Sequence, residues 1–551
     1  MLIHKKEKFN ANLTANLFFG TIILVGLFFF YFLCCSLIEN QNFAFDTDEA
    51  DHANAAYKIY FAFLNGGLLE FWEAIRDQAF YPPLFSIVSL PILLWLEPTV
   101  VSARAPSVLL WGASFVLMVL TARKIFTAKP LFGLIPLLFF LFSPLILSNA
   151  PLSMLETLGL FLTSLILYLS TLHRTLSFYV WGVVFFLLAM AKYSFAITIV
   201  PGALLALSLK EEAKKNLEDE NCSKISFSVD YVGGVAFVFL LLLGSWLAVV
   251  DKSRVWHFVV GHPSYVSIFS WENFFYYFER IIDEYNSVTF SGALLLFLAL
   301  SGGFFSRSVL YWRLAAFCSA SAFGILFFST TNEARHIMPA MPFIYMLAGL
   351  GAESLWCRFR KSRQLLILLL ISALFLQAIK TIVEFKEIAK KELEGEDFFV
   401  DAQRKIIGFL KEPILVNGVT DSFSLEALRW FLSVSSGNGY KETKIDSYPF
   451  RTDKNKTAKI RGRNTIPAFI FSQIPLDLEK IVDKKYYQTF VSLRFKDRGI
   501  SRKFLPDFQK FTSFVEACQD KRELVYPSLR VVICYPYQQM VAEDQPNKTN
   551  N

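Results

Sequence analysis

Long apolar windows, separated by short charged stretches, set the pattern of this chain. No charged residue lies between Leu17 and Ile38, a length sufficient for a helix to cross the hydrocarbon layer of about 30 Å. Further charge-poor windows fall near 105–122, 131–149, 155–171, 175–191, 193–209, 231–250, 291–306, 314–331, 337–355 and 364–382. In lipid each can satisfy its own backbone polar groups only as a helix. The apolar run 84–97 is shorter, closes on Glu97 and Pro98, and suits a re-entrant or interfacial segment.

After about residue 383 the pattern changes. Charge rises, and the apolar windows shorten to PILVNG, AFIFSQI and RVVICYPY, which read as buried strands. They alternate with helical stretches at Asp421–Leu432 and Phe508–Cys518. The expected architecture is a polytopic α-helical membrane protein with about eleven spans, surface helices on the outer face and a C-terminal α/β domain. Its domains are 1–383, with a first outer loop at 39–83, and 384–551.

Charge orients this arrangement. Lys5, Lys6 and Lys8 precede the first span. Arg123, Lys124 and Lys129, then Lys210, Lys214, Lys215 and Lys224, then Arg358, Arg360, Lys361 and Arg363 occupy three connectors. The positive-inside rule places all four groups in the cytoplasm. Segment 84–97 then stays on the outer face, and the domain after residue 383 is extracytoplasmic. Composition agrees with a membrane chain: 54% of the 551 residues are hydrophobic and 16% aromatic. The net charge of +7 resides mostly in loops and implies no nucleic-acid partner. Seven cysteines are present, of which Cys518 and Cys534 belong to the outer domain, either as a disulfide or as two thiols.

The polar residues that interrupt the pattern gather at outer-facing ends. DTDEADH, residues 46–52, holds four carboxylates and a histidine. Helix capping by Asp46, Thr47 or Asp48 accounts for one or two of these acids, not all four. YPPL at 81–84 stiffens the return to the membrane surface, and a helix start is its plainer reading. Arg104 lies in SARAPS, and Glu156 ends SPLILSNAPLSMLE, where Ser153 and Glu156 have capping-box spacing. Lys192 interrupts two apolar windows; a charge there suits an anionic partner, against the plainer reading of snorkelling to the interface. NEARHIMPAMP sets Glu333, Arg335 and His336 at the mouth of a late span, where arginine suits a phosphate or anchors a helix end. His257 and His262 lack an obvious third ligand. No cofactor is read from these residues, although the acids leave room for a divalent cation.

In order between residues 46 and 351, DTDEADHANAAY, FYPPLFSIVSLP, SARAPSVLLWG, SPLILSNAPLSMLE, LLAMAKYSFAITIVPG and EARHIMPAMPFIYMLAGLG resemble the GT-C glycosyltransferases that use polyprenyl-phosphate sugars. The likeness is to the group of dolichyl-phosphate-mannose-protein mannosyltransferases and aminoarabinose transferases. It implies a GT-C-like membrane fold and inverting transfer from a lipid phosphate to an acceptor hydroxyl. Asp48 and Glu49 then occupy the Asp-Glu motif of the first outer loop. One departure is that Phe80 and Tyr81 precede Pro82 where the aminoarabinose transferases carry a Glu-Lys pair, so the phosphate contact and metal site tied to that pair do not carry over.

On this reading Asp48 is the general base, with Glu49 beside it. Arg335, then Lys192 or Arg104, stabilises the leaving phosphate. Asp46, His52, Tyr81, Glu156 and His336 are the remaining substrate-facing candidates. Partners are a polyprenyl-phosphate sugar, a lipid, glycan or protein acceptor, and membrane lipids. The expected location is a bacterial inner membrane with the site in the periplasm. The competing readings are a transporter or flippase of a lipid-linked sugar and an inactive membrane assembly module.

Overall fold

The computed structural model describes residues 2–391 apart from 40–46, 79–80, 173–175, 213–223, 228, 253–254, 256–270, 287, 305–308, 328–332, 360 and 362. Beyond these it describes 402, 405–410, 414–417, 425–435, 445–448, 450–459, 469–475, 488–495, 505–525 and 529–535. Asp46, Phe80, His257 and His262 lie outside the described residues. The chain forms two compact units: Met1–Gln41 with Ala55–Leu393, and Asn42–Asn54 with Glu394–Asn551.

The first unit is helical. Its elements are α1 (Leu2–Glu39), α2 (Thr47–Phe61, shared with the second unit), α3 (Leu68–Arg76), α4 (Leu84–Leu96), α5 (Val100–Ile125), α6 (Pro130–Leu141) and α7 (Pro144–Asn149). They continue through α8 (Leu155–Ser170), α9 (Phe178–Ala191), α10 (Tyr193–Ser208), α11 (Val229–Val249) and α12 (Trp271–Asp283). The last are α13 (Thr289–Phe304), α14 (Leu310–Leu326), α15 (Met341–Arg358) and α16 (Arg363–Lys391). A short antiparallel pair, β1 (Leu209–Glu212) and β2 (Lys224–Phe227), follows α10.

Among the described residues four helical segments are long and apolar enough to cross a membrane: Leu17–Ile38, Val100–Ile125, Val229–Val249 and Arg363–Phe385. Seven shorter apolar helices accompany them, α4 included. The window 131–149 does not form one helix. Phe142 and Ser143 separate α6 from α7, because Pro144 brings no N–H to continue the ladder. The Phe142 carbonyl at the break accepts hydrogen bonds from Gln377 Nε2 at 2.7 Å and Thr381 Oγ1 at 3.1 Å, both on α16. Helix α4 stops where expected, at Glu97, whose φ of 58° ends the helical run.

The helices meet closely where glycine permits it. A Cβ at Gly302 of α13 would overlap the Leu347 carbonyl, and one at Gly351 of α15 would overlap the Leu298 carbonyl. With little hydrophobic drive between helices in lipid, such close backbone approach supplies the packing energy. One large cluster, including Trp111, Phe139, Trp181 and Tyr345, fills the interior of this unit. A second, smaller cluster gathers Ile59 of α2, Ala74 and Ile75 of α3, Leu90 of α4, Met190, Tyr193, and Trp246 and Val250.

The second unit carries a five-stranded sheet in the order β4-β3-β7-β9-β8. Here β3 is Ile414–Asn417, β4 Ile445–Tyr448, β7 Thr489–Phe495, β8 Lys521–Val525 and β9 Leu529–Cys534. Strand β3 pairs in parallel with β4 and β7, while β9 runs antiparallel to β7 and β8. The parallel β3–β4 pair needs a crossover, which α17 (Leu425–Ser435) supplies. Strands β5 (Phe450–Lys459) and β6 (Phe469–Pro475) form a separate antiparallel pair. Thus PILVNG, AFIFSQI and RVVICYPY each contain a strand. The helix expected at Asp421 is described from Leu425, and α18 begins at Leu505 rather than Phe508.

Cys518, just after α18 (Leu505–Ala517), is disulfide-bonded to Cys534 at the end of β9, with Cα atoms 5.9 Å apart. Closing a loop with a sequence separation of 16 restricts the unfolded chain by about 3 kcal/mol. The Cys518→Ser/Cys534→Ser variant is therefore expected to lose about 2–4 kcal/mol of stability in this unit. Proteolytic susceptibility of the 505–535 region in non-reducing buffer reads the effect.

Candidate functional site

Three chain segments distant in sequence converge in the first unit. The first is the start of α8. Met154 is extended (φ −117°, ψ 144°) and forms the N-cap without a side-chain hydrogen bond, so the capping box expected of Ser153 and Glu156 does not form. Glu156 in the first turn is instead committed to Lys192: Nζ donates to Oε1 at 2.8 Å, with side-chain exposures of 12% for the lysine and 2% for the carboxylate.

The second segment is the break between α9 and α10. Helix α9 ends at Ala191, Lys192 alone is extended (φ −162°, ψ 128°), and α10 resumes at Tyr193. A lysine within an apolar window cannot leave its ammonium in hydrocarbon. The one-residue break is where its side chain meets the buried carboxylate. Its ammonium also lies 5.5 Å from the centroid of the Phe195 ring, a distance suited to cation–π attraction.

The third segment is a 3₁₀ turn, Ala334–Ala340, which precedes α15 and packs on α8. Arg335 Nε donates to Glu333 Oε2 at 2.6 Å, and its Nη1 reaches Met154 Sδ at 3.4 Å. Tyr285, fully buried, donates to the Ala334 carbonyl at 3.0 Å and holds the turn.

The electrostatics divide this cluster. The Glu156–Lys192 pair is buried, whereas Arg335 and Glu333 keep exposures of 21% and 44%. An arginine held by a carboxylate that reaches water can exchange it for another planar or tetrahedral anion, and guanidinium geometry favours phosphate. His336 lies among Lys192, Glu333, Glu156 and Arg335. Burial first, then the Lys192 charge, push its imidazole down to about 4, against the opposing pull of Glu333 and Glu156. At neutral pH His336 is uncharged, so its 3.7 Å approach to Glu333 is not an ion pair.

A base with a depressed folded value favours folding fully above its unfolded pKa of about 6.5. That contribution fades as pH falls from there towards 4. Imidazole NMR of the ¹⁵N-histidine-labelled protein is expected to show a resonance that remains neutral through pH 6 and disappears in His336→Gln. A midpoint near 6.5 for that resonance would contradict this electrostatic picture.

The other candidates are carried by other elements. Asp48 and Glu49 sit in the first turn of α2, the former half-buried and the latter 1% exposed, with His52 buried one turn on. All three belong to the second unit. Two acids at a helix start are favoured by its dipole, so the local fold tolerates them there. Arg104 is buried in α5, which starts with a capping box: Ser102 N donates to Thr99 Oγ1 at 3.1 Å and Thr99 N to Ser102 Oγ at 2.7 Å. Tyr81, half-buried before α4, packs against both hydrophobic clusters of the first unit. The structure thus brings together Glu156, Lys192, Arg335 and His336. Sequence reasoning passed over Met154, Tyr285 and Trp246, since an apolar or aromatic residue inside a span gives no signal of what it faces.

No family model matches the chain, and no curated protein matches it. Solved structures do. ArnT from Cupriavidus metallidurans matches in the apo state (13% identity, 93% of this chain and 98% of that one, TM-score 0.56). The same protein bound to undecaprenyl phosphate matches at 13% identity, over 94% and 98% of the two chains, with TM-score 0.57. The arabinofuranosyltransferase AftD from Mycobacteria matches at 12% identity and TM-score 0.51 over 94% of this chain, which spans 40% of AftD. At these identities the likeness concerns the path of the backbone, and it extends over both compact units. The chain shares the fold of these structures.

Proposed function

We propose that the protein is an inverting glycosyltransferase that moves a sugar from a polyprenyl-phosphate donor to an acceptor hydroxyl at the outer face of the membrane. The observation that carries this reading is the buried Glu156–Lys192 pair beside the half-open Arg335 and neutral His336. It occurs in a fold that, in ArnT, has been solved with undecaprenyl phosphate bound. Transfer proceeds by single displacement. The acceptor oxygen attacks the anomeric carbon, its proton passes to Asp48, and the carbon–oxygen bond to the lipid phosphate breaks.

The leaving phosphate needs charge stabilisation rather than a strong acid. Arg335 supplies it directly, Lys192 is held at its side by Glu156, and Arg104 is the third cation of this reading. Glu49 orients the base. His52, Tyr81 and His336 line the sugar or its acceptor, with no metal assigned to the site. About eleven spans carry this arrangement, and the domain 384–551 is extracytoplasmic and guides an acceptor that is a lipid, a glycan or a protein. A bacterial inner membrane, with the site facing the periplasm, accommodates all of these parts.

Donor-phosphate binding tests the reading. A charge-assisted hydrogen bond contributes about 1.5–3 kcal/mol, so Arg335→Gln is expected to weaken binding of radiolabelled undecaprenyl phosphate by about ten- to a hundredfold. Unchanged binding would remove Arg335 from the site.

A further inference from the structure

The one-residue break at Lys192 lacks a continuous helix to fix its direction. Its backbone keeps two bonds, Lys192 N to the Leu188 carbonyl at 3.3 Å and Phe195 N to the Lys192 carbonyl at 3.0 Å. Glu156 holds the ammonium on one side. On the other side Tyr193, the next residue, accepts a hydrogen bond at its hydroxyl from Trp246 Nε1 of α11 at 3.0 Å. Both rings are buried, with exposures of 5% and 6%.

The same two residues belong to the smaller hydrophobic cluster. Met190 and Tyr193 bracket Lys192, and Ile59 of α2 is buried with them, as are Ile75 of α3 and Leu90 of α4. Tyr60 and Phe71 pack against the cluster from outside. Ile59, in the last turns of α2, is thus buried in the same cluster as the two residues that flank Lys192.

We propose that the Tyr193–Trp246 hydrogen bond is a positioning contact for transfer, fixing the Lys192 break together with the cluster that buries Ile59, without either ring touching the substrate. The inference rests on the reading of Lys192 as a donor-phosphate ligand. Phenylalanine at either position keeps a ring in the cluster but removes the directional bond and leaves its partner without it. Apolar packing alone is non-directional, so the cluster persists while the register of the break loosens. Groups misplaced by about 1 Å lose on the order of a hundredfold in rate. A partial loosening costs less.

The test uses the full chain in lipid nanodiscs with radiolabelled undecaprenyl-phosphate hexose and pentose donors and a bacterial envelope extract as the source of lipid, glycan and protein acceptors. Tyr193→Phe and Trp246→Phe are each expected to lower kcat per folded molecule about tenfold with donor KM within twofold, and the double variant to fall no further than either single one. Unchanged kcat, or losses that multiply in the double variant, would overturn the proposal. So would a loss confined to the yield of folded protein, the mark of a merely structural role. If the wild type turns over neither donor, the functional reading fails, and amide hydrogen exchange carries the test of the positioning contact. Tyr193→Phe should then raise exchange at least fivefold in peptides covering both 188–196 and 55–62, leaving 294–304 unchanged; exchange at wild-type rates in 55–62 would overturn it.

Discussion

Asp48→Asn is expected to lower sugar transfer by about 10²- to 10⁴-fold, the span typical of losing a positioned general base, with little change in folding or donor binding. The asparagine side chain has nearly the same shape and cannot accept the proton as the acceptor oxygen bonds to carbon. Asp48 is half-buried in the first turn of α2, where its helix-dipole interaction is a modest one of about 0.3–1 kcal/mol. The neighbouring Glu49, 1% exposed, differs: its substitution disturbs a buried group, and a loss of activity there confounds packing with chemistry. Asp48 is the cleaner probe. Single-turnover rates and the thermal midpoint of the same preparation separate the two effects.

The second large effect concerns Lys192. Replacing it by methionine leaves the Glu156 carboxylate, 2% exposed, without the ammonium that neutralises it. Breaking a buried pair in this way costs about 3–5 kcal/mol, so Lys192→Met is expected to unfold at markedly lower temperature in detergent. Removing both charges behaves differently. Lys192→Met/Glu156→Met replaces the pair by apolar side chains of similar length, and such replacements are often neutral or stabilising. The double variant is expected to regain most of the thermal stability while remaining defective in donor turnover. If the double variant also regains turnover, the pair is architectural and Lys192 is not a phosphate ligand.

The contrast between these residues shows what the linear chain discloses. DTDEADH stands out because its acids exceed what one helix start employs, and α2 does begin at Thr47 with Asp48 and Glu49 in its first turn. Lys192 stands out because an apolar window rarely contains a charge. Glu156 was a candidate too, but not as its partner: Ser153 and Glu156 had the spacing of a local cap, and the 36-residue separation of the actual pair hides it from any short-range rule. The apolar run 131–149 was read as one span because hydropathy averages over Pro144, whereas the backbone breaks there and α16 repairs it through Gln377 and Thr381. Strands β3, β6 and β9 were visible as short apolar windows, while the order of the sheet, set by crossovers and pairing, was not. The cysteines left a pair and two thiols equally open until β9 placed Cys534 beside Cys518.

The most direct measurement is release of undecaprenyl phosphate from a synthetic undecaprenyl-phosphate sugar by the purified chain in sealed vesicles without an ion gradient, with a bacterial envelope extract supplying lipid, glycan and protein acceptors, followed by mass spectrometry. The wild type is expected to release the lipid phosphate and yield one new glycosidic product, while Asp48→Asn yields neither. Equal release by wild type and Asp48→Asn, or movement of the intact donor across the bilayer without cleavage, would contradict the assignment of a transferase with Asp48 as its base.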